Sequence, residues 1–381
     1  MGYESLTAPG DSLRARYRDQ FPVTERLVYL THAAVSPLSR RASDAMKQLA
    51  DDVCLYGSLH YDVWLDAYEG VRVASASLIG ANRSEIALVK NTSEGISTVA
   101  IGLKWKPGDK IVAFREEFPA NYFPWKRLEA RRGVRVEWLS YLDDLQRIAE
   151  AAKGARLLAI SFVQYLSGHR ADLTAIGEIC RDNGAFFFVD AIQGLGAFPL
   201  DVRKSGIHAL AADGHKWLLG PEGCGILYIQ QDLQDSIEPV EFGWTNIAGF
   251  ADYACRDMDL RRDAGRYECG TLNTIGCFGL RAAIELVLEM GVSEIAPAVQ
   301  ALGDQVAEGA RRKGYELMGE RTPANGAGIV SFRKEGLDAR YLYRELKDKG
   351  FLAAPRLGWL RVAPHFYVTP EEIARLIDAL P

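Results

Sequence analysis

The chain reads as an α/β protein: a large domain on a mostly parallel central sheet flanked by helices, then a smaller α+β domain. Three observations predict this. From about Val28 to Ile229, short apolar runs alternate with stretches of helical periodicity, the pattern of strands covered by crossover helices. After about residue 255 the order changes to two long helical patterns, then strand, helix, strand and helix. No tract rich in Gly, Pro or Ser separates the halves, so they are expected to pack closely. With 381 residues, 48% of them hydrophobic and 25% charged, the chain can bury a sizeable core.

The strands of the first part are expected at "EIALVK" (85–90), "KIVAF" (110–114), "VRVEWL" (134–139), "RLLAISFV" (156–163), "AFFFVD" (185–190) and "GILYI" (225–229). Between the fourth and fifth, "TAIGEICRDNGAFFFVD" places a helix end at Asn183-Gly184, where glycine supplies the left-handed turn before a buried strand. In the second part, "LRAAIELVLEMG" (280–291) and "IAPAVQALGDQVAEGARRKG" (295–314) read as helices stopped by glycine. They are followed by the strand "GIVSF", the helix "ARYLYRELKDKG" and the strand "WLRVAPH". The final helix opens with "TPEE": Thr369 as N-cap, Pro370 at N1, Glu372 closing a capping box. The expected division is an N-terminal arm (1–25) packing with the small domain, a large domain (26–258) and a small one (259–381).

Composition narrows function. A net charge of −5 argues against nucleic acid or an anionic membrane surface as partner. No apolar run reaches the roughly 18 residues needed to span a bilayer, and the first 21 residues lack a signal-peptide core. The six cysteines contain no CxxC pair, which suits a reducing, cytoplasmic setting. The six histidines have no metal-ligand spacing, so no metal is expected.

Ligands of open parallel sheets bind beyond the carboxyl ends of the strands, and three features fall there. "AFFFVD" delivers Asp190 at the end of a buried strand. "IHALAADGHK" places Lys216 after a short apolar run. "EIALVKNTSEGISTVAIGL" is strand, Thr-Ser-Glu-Gly turn and helix, so Thr92, Ser93 and free backbone N–H groups offer an anion site. Desolvation lowers a lysine pKa and frees its amine to attack carbonyls. A phosphate cradle, a buried carboxylate and such a lysine together suit pyridoxal 5'-phosphate: lysine for the Schiff base, aspartate for the pyridine nitrogen, helix N-terminus for the phosphate.

The arrangement closely resembles class V aminotransferases of PLP fold type I, which include cysteine desulfurases, isopenicillin N epimerase-like proteins and, more distantly, kynureninases. The likeness runs from "YLTHAAVSPLSRRA" to "WLRVAPHFYVTPEEI", and its most specific part is "DAIQGLGAFPLDV…ADGHKWLLGPEGCGILYI". It implies Lys216 as the Schiff-base lysine and Asp190 as the pyridinium partner. It also implies Gln193 on the phenolic oxygen, with His215 and the Thr92/Ser93 turn on the phosphate. Asp213 stands where relatives often carry serine, and an anion there repels the phosphate unless it is turned away or bridged. "RYECGTLNT" is similar to the segment whose threonine reaches the neighbouring subunit's phosphate, implying Thr271 in that role and a homodimer with shared sites. "WLRVAPHFY" resembles the segment whose arginine grips the substrate α-carboxylate, implying Arg361. Gln164 in "VQYLSG", which has a kynureninase-like look, and His32 are candidates to face the substrate; a structural histidine is the competing reading for His32 and His60.

Two departures matter. In "EEFPANYFPW" Phe118 stands where desulfurases carry a histidine over the cofactor ring; phenylalanine can stack but not shuttle protons. Desulfurases also need a loop cysteine shortly before the arginine; "KGFLAAPRLGWLRVAP" has none, and the last cysteine is Cys277. Transamination of an amino acid, with a keto acid as possible acceptor, is therefore the leading expectation. Epimerisation, racemisation or β-elimination (selenocysteine lyase-like or kynureninase-like) is the alternative. A dinucleotide enzyme would suit the α/β pattern, but "GLGAFP" has Pro199 at the third glycine position. A PLP-fold binding protein without turnover is the other rival.

Overall fold

In a computed structural model the described residues are 9–381, and their strands form three sheets. The first part of the chain contributes α1 (Asp11–Tyr17), β1 (Val28–Tyr29), α2 (Arg40–Tyr56), α3 (Tyr61–Ile79), β2 (Ile86–Val89), α4 (Thr92–Gly102), β3 (Lys110–Phe114), α5 (Phe123–Arg132) and β4 (Arg135–Leu139). Then follow α6 (Leu145–Ala152), β5 (Ala155–Ser161), α7 (Leu173–Asn183), β6 (Phe186–Asp190), β7 (Ala209–Asp213) and β8 (Gly225–Ile229). The remainder supplies α8 (Thr274–Met290), α9 (Val292–Arg312), β9 (Glu316–Leu317), β10 (Val330–Arg333), α10 (Ala339–Asp348), β11 (Phe351–Leu352), β12 (Ala354–Arg356), β13 (Trp359–Val362) and α11 (Pro370–Ala379).

The central sheet has seven strands in the order β2-β8-β7-β6-β5-β3-β4. Four pairings are parallel, while β8 runs antiparallel to both β2 and β7. Apart from the edge strand β4, both faces are buried, so the strands read as nearly continuous apolar runs. Alternate residues divide between two cores. Leu88, Val112, Leu158, Phe187 and Leu210 face the core shared with α3, α7 and α8. Val89, Ala113, Ala159, Phe188 and Ala211 face the one that α4 and α5 cover.

Particular predicted elements differ from what is observed. The Thr-Ser-Glu-Gly segment is not a turn before a helix but the first turn of α4, because the Asn91 side chain caps it at the Glu94 N–H (3.0 Å). Helix α8 begins at Thr274 instead of Leu280, capped by Asn273; Gly276 and Gly279 had broken its apolar periodicity. The short run before Lys216 is a full interior strand, β7, whose alanines carry little strand propensity. Gly184 does take the left-handed turn (φ 64°), and the Thr369/Glu372 capping box is present.

The later strands make a four-stranded antiparallel sheet, β12-β13-β10-β9, and β1 pairs in parallel with β11. Arg18 forms an ion pair with Glu372 (2.6 Å) and Arg14 donates to the Phe366 carbonyl (3.2 Å), fastening the residues after α1's start to the C-terminal segment. No helix among the described residues is long and apolar enough to cross a membrane.

Candidate active site

The carboxyl ends of β6 and β7 lie side by side, Asp190 paired in register with Ala211. Asp190 is buried, its Oδ1 accepting the Ile192 N–H at 3.1 Å. Burial pushes its carboxyl up to about 6, against the pull of the Lys216 ammonium. Lys216 follows β7 on a loop held by Gly214 N–H to Cys224 O (2.9 Å) and Gly220 N–H to Gly214 O (2.9 Å). A Cβ at Gly214 would meet Leu280 Cδ1 at 2.7 Å and the Cys224 carbonyl at 2.8 Å, so only glycine allows this fold-back. Lys216 is only 8% exposed. Burial lowers its ammonium to about 8; Asp190 opposes that shift and Arg361 adds to it. This amine is held out of bulk water near a buried carboxylate.

Its neighbours are fixed by hydrogen bonds. Trp217 Nε1 donates to Gln193 Oε1 (3.0 Å), and Gln193 Nε2 donates to the Ala33 carbonyl (3.0 Å). The second N–H of that amide is left for a further acceptor. Thr92 Oγ1 accepts the Asp213 N–H at 3.0 Å, tying the start of α4 to the end of β7. A Cβ on Gly95 would lie 2.7 Å from the Ala211 Cβ, so α4 rests directly on the strand that leads to the lysine. Helix geometry leaves the Thr92 and Ser93 N–H groups without intrahelical acceptors. Asp213 Oδ1 and His215 Nδ1 are 3.1 Å apart, yet neither is aligned for a hydrogen bond. Two buried polar atoms are thereby left unsatisfied beside the free N–H groups, as suits a site for a bound anionic group.

The small antiparallel sheet closes the opposite side. Arg361, on β13, is 3% exposed; its Nη1 donates to the Tyr165 carbonyl (2.7 Å), and its Nε has no partner. Burial and the neighbouring Arg356 lower its guanidinium to about 10. Arg356 stands at the far side of a two-residue turn in which Leu357 (φ 50°) and Gly358 (φ 83°) are both left-handed. Phe118, 46% exposed, presents its ring 5.6 Å from Lys216 Nζ and meets Tyr165 edge to face at 5.3 Å.

One cavity of about 380 Å³ collects Thr92, Ser93, Phe118, Asp190, Gln193, Asp213, His215, Lys216 and Arg361. A wider groove of about 950 Å³ runs past Asp143, Asp144, Asp172 and Asp201. Its carboxylates serve as turn and helix caps, for Ser140, Arg147, Ala175 and Arg203, so size alone does not mark the site.

Three predicted residues stay outside the cavity. The Gln164 amide is spent on backbone and Ser167: Nε2 donates to Glu116 O (2.6 Å), and Oε1 accepts from the Leu166 and Ser167 N–H groups (2.8 and 2.6 Å). It does not line the cavity. Its neighbour Tyr165 lines the cavity instead, in the turn closed by the Gly168 N–H on the Gln164 carbonyl (3.0 Å). His32 is fully buried, bridging the Ala363 carbonyl (2.8 Å) and the Tyr367 hydroxyl, and burial lowers it to about 4. It is a neutral structural histidine, as is expected of a ring whose two nitrogens are both satisfied. Thr271 is exposed on this chain and lines a separate cavity of about 370 Å³ with Lys90, Gly223 and Asn273.

Sequence reasoning missed Tyr165, Arg356 and Glu117. Arg356 was visible five residues before Arg361, but only the hairpin register sets it, solvent-exposed, at the rim of the same cavity. Glu117 is buried next to Phe118, accepts from Ser161 N–H (2.7 Å) and Tyr141 Oη (2.8 Å), and is also bonded to Ser161 Oγ. Burial, with Asp190 nearby, pushes its carboxyl up to about 8. No sequence signal singled it out, because its burial depends on β3 and β5 being neighbours.

Comparison with known proteins places these features in context. The family described as "Aminotransferase class-V" matches residues 28–354. A probable cysteine desulfurase of Pyrococcus abyssi is 32% identical, over 95% of this chain and 96% of its own length. The uncharacterized aminotransferase YcbU of Bacillus subtilis is 30% identical over 97% and 98%. Among solved structures, the apo cysteine desulfurase from Thermococcus onnurineus NA1 superposes with a TM-score of 0.89 at 29% identity, covering 98% of this chain and 97% of that one.

Proposed function

This chain belongs to the class V aminotransferase family, and from that membership we propose that it transaminates an amino acid through Lys216. The cofactor is pyridoxal 5'-phosphate. When bound, it supplies a carbonyl that captures amines and a ring that takes up the electron pair left by a departing α-proton. The observation that carries the reading is the dry Lys216 amine next to the buried Asp190 carboxylate, in one cavity with an unpaired arginine N–H.

Each residue's part follows from its surroundings. The Thr92 and Ser93 N–H groups and His215 would hold the phosphate. Asp190 would keep a proton on the ring nitrogen, and the second N–H of Gln193 would reach the phenolic oxygen. Arg361, with its free Nε, would bind the α-carboxylate in a fork. Lys216, lowered to about 8, has a neutral fraction near physiological pH and would take the α-proton. Phe118 and Tyr165 would wall the cavity against water.

Two observations weigh against epimerisation and against desulfuration. Epimerisation by opposed proton carriers requires a titratable group across from the lysine, and Phe118 occupies that position. Desulfuration requires a nearby thiol, and none of the six cysteines lines the cavity. The turn at Leu357-Gly358 is also too short to carry one in. The relatives named cysteine desulfurase therefore support the family and not that reaction here. The exposed Thr271 suits a contact made in a second copy, so we include a homodimer in the proposal, tested by light scattering. Incubating the loaded enzyme with an amino acid panel and 2-oxo acids, with products identified by mass spectrometry and chiral chromatography, tests the reaction. New 2-oxo acid matched by new amino acid supports it; sulfide or a D-amino acid without oxo acid would replace it.

A further inference from the structure

The cavity contains two guanidinium groups, and the resemblance-based reading uses only one. In the β12–β13 hairpin Arg361 pairs directly with Ala354, and Arg356 lies two residues beyond Ala354 on the same strand. Cross-strand partners share a face, and so do residues i and i+2. Arg356 and Arg361 therefore project from the same face as diagonal neighbours, with Cβ atoms about 7–8 Å apart by ordinary sheet spacing. Ala354 opposite Arg361 and Trp359 opposite Arg356 complete that face. Both side chains line the cavity that holds Lys216.

Neither charge is neutralised. Among the described residues no carboxylate forms an ion pair with Arg356 or Arg361. The cavity's acidic residues are Asp190 and Asp213, at the ends of β6 and β7, and Glu222, on the loop after Lys216. Arg356 spends one N–H on the carbonyl of its own neighbour Pro355 (3.0 Å), and Arg361 Nε is buried with no acceptor. The Arg356 guanidinium makes the positive charge on Arg361 less favourable. A single α-carboxylate would relieve one cation and leave the second unmatched.

We propose that the two arginines form a two-anion site: Arg361 receives the α-carboxylate, and Arg356 a second carboxylate on the substrate side chain. The inference rests on the aminotransferase reading and names its substrate class, an acidic amino acid and the 2-oxo acid of the same skeleton. Donor and acceptor occupy one cavity in turn, so a subsite for either half acts on the whole exchange. The planar fork of arginine suits a carboxylate better than an amide, and the rim position keeps the group in reach of an incoming side chain.

The test is binding to the cofactor-loaded enzyme by calorimetry, with succinate against butyrate and glutarate against pentanoate as matched pairs. At least one dicarboxylate should bind about tenfold or more tightly than its partner. In Arg356→Gln that ratio should fall to near one, and Arg356→Lys, which keeps the charge, should restore part of it. Circular dichroism and melting confirm that the variants fold. Kinetics supply the parallel readout: the kcat/KM ratio of aspartate to asparagine, or glutamate to glutamine, should collapse in Arg356→Gln. Equal binding of both pairs by the wild type overturns the proposal, as does a preference that survives Arg356→Gln. If the preference exists and depends on Arg356 but no amino acid is turned over, the two-anion site stands and the aminotransferase reading fails.

Discussion

The Lys216 amine stands 5.6 Å from the centre of the Phe118 ring, within the range at which a cation is attracted to an aromatic face. Phe118 thus sets beside the amine, in the same cavity, an aromatic face that carries no proton.

Replacing that ring tests its part. Phe118→Ala should weaken cofactor retention by about two- to tenfold, the ordinary worth of an aromatic stacking contact, as measured by dialysis and residual absorbance. Phe118→His should add a proton carrier and raise the leakage of D-amino acid product. Chiral chromatography showing no D-product from either protein would remove Phe118 from control of the proton.

For Lys216 the expected outcome of alanine substitution is loss of the visible absorption of lysine-bound cofactor and a fall in turnover of about a thousandfold or more. The pH dependence has a defined sign. The amine attacks only when neutral, and its ammonium is lowered to about 8, so cofactor capture by the empty chain should accelerate as pH rises through about 8 and then level. Stopped-flow absorbance between pH 6 and 10 checks this, and a flat profile would mean that the amine is not the group titrating.

Glu117 makes a stability prediction. Its folded pKa, about 8, lies above the ordinary carboxylate value of 4.5. The folded chain thus holds a proton that the unfolded chain has lost between these limits. Its contribution is fully present below about 4.5 and is lost as pH rises through about 8. Glu117→Gln, permanently neutral, should melt close to the wild type at pH 5 and several degrees above it at pH 8.5. Parallel melting curves at both pH values would show that Glu117 is ionised in the folded protein.

Arg361→Ala should lower kcat/KM for α-amino acids by about a hundredfold, since it removes a charged fork and leaves the substrate carboxylate unpaired. Arg361→Lys should recover only part of this, because a point charge cannot make two parallel bonds. Steady-state kinetics with one donor suffices; a loss confined to amines lacking a carboxylate would assign Arg361 elsewhere.

Much of this molecule is legible in one dimension because the underlying physics is local. Strand "AFFFVD" announces itself by an unbroken apolar run, Gly184 by the left-handed turn it permits, and Thr369-Pro370-Glu372 by a cap closed within four residues. The same holds for the run around Lys216, whose histidine, lysine and glycines stand together in sequence. The cavity residues Asp190, Gln193, His215 and Lys216 all come from two adjacent stretches, so reading them needed no knowledge of distant contacts.

Tertiary structure alone decided the rest. Gln164 and Tyr165 are adjacent, and only the path of the backbone sends tyrosine into the cavity and glutamine into its own carbonyl network. His32 is taken from the substrate side by Ala363 and Tyr367, more than three hundred residues away in the chain. Arg356 acquires its position from hairpin register, and Glu117 its proton from the packing of Ser161 and Tyr141 around it. A residue's chemistry is written in its type; the direction it points and the water it loses are set by neighbours that folding alone brings close.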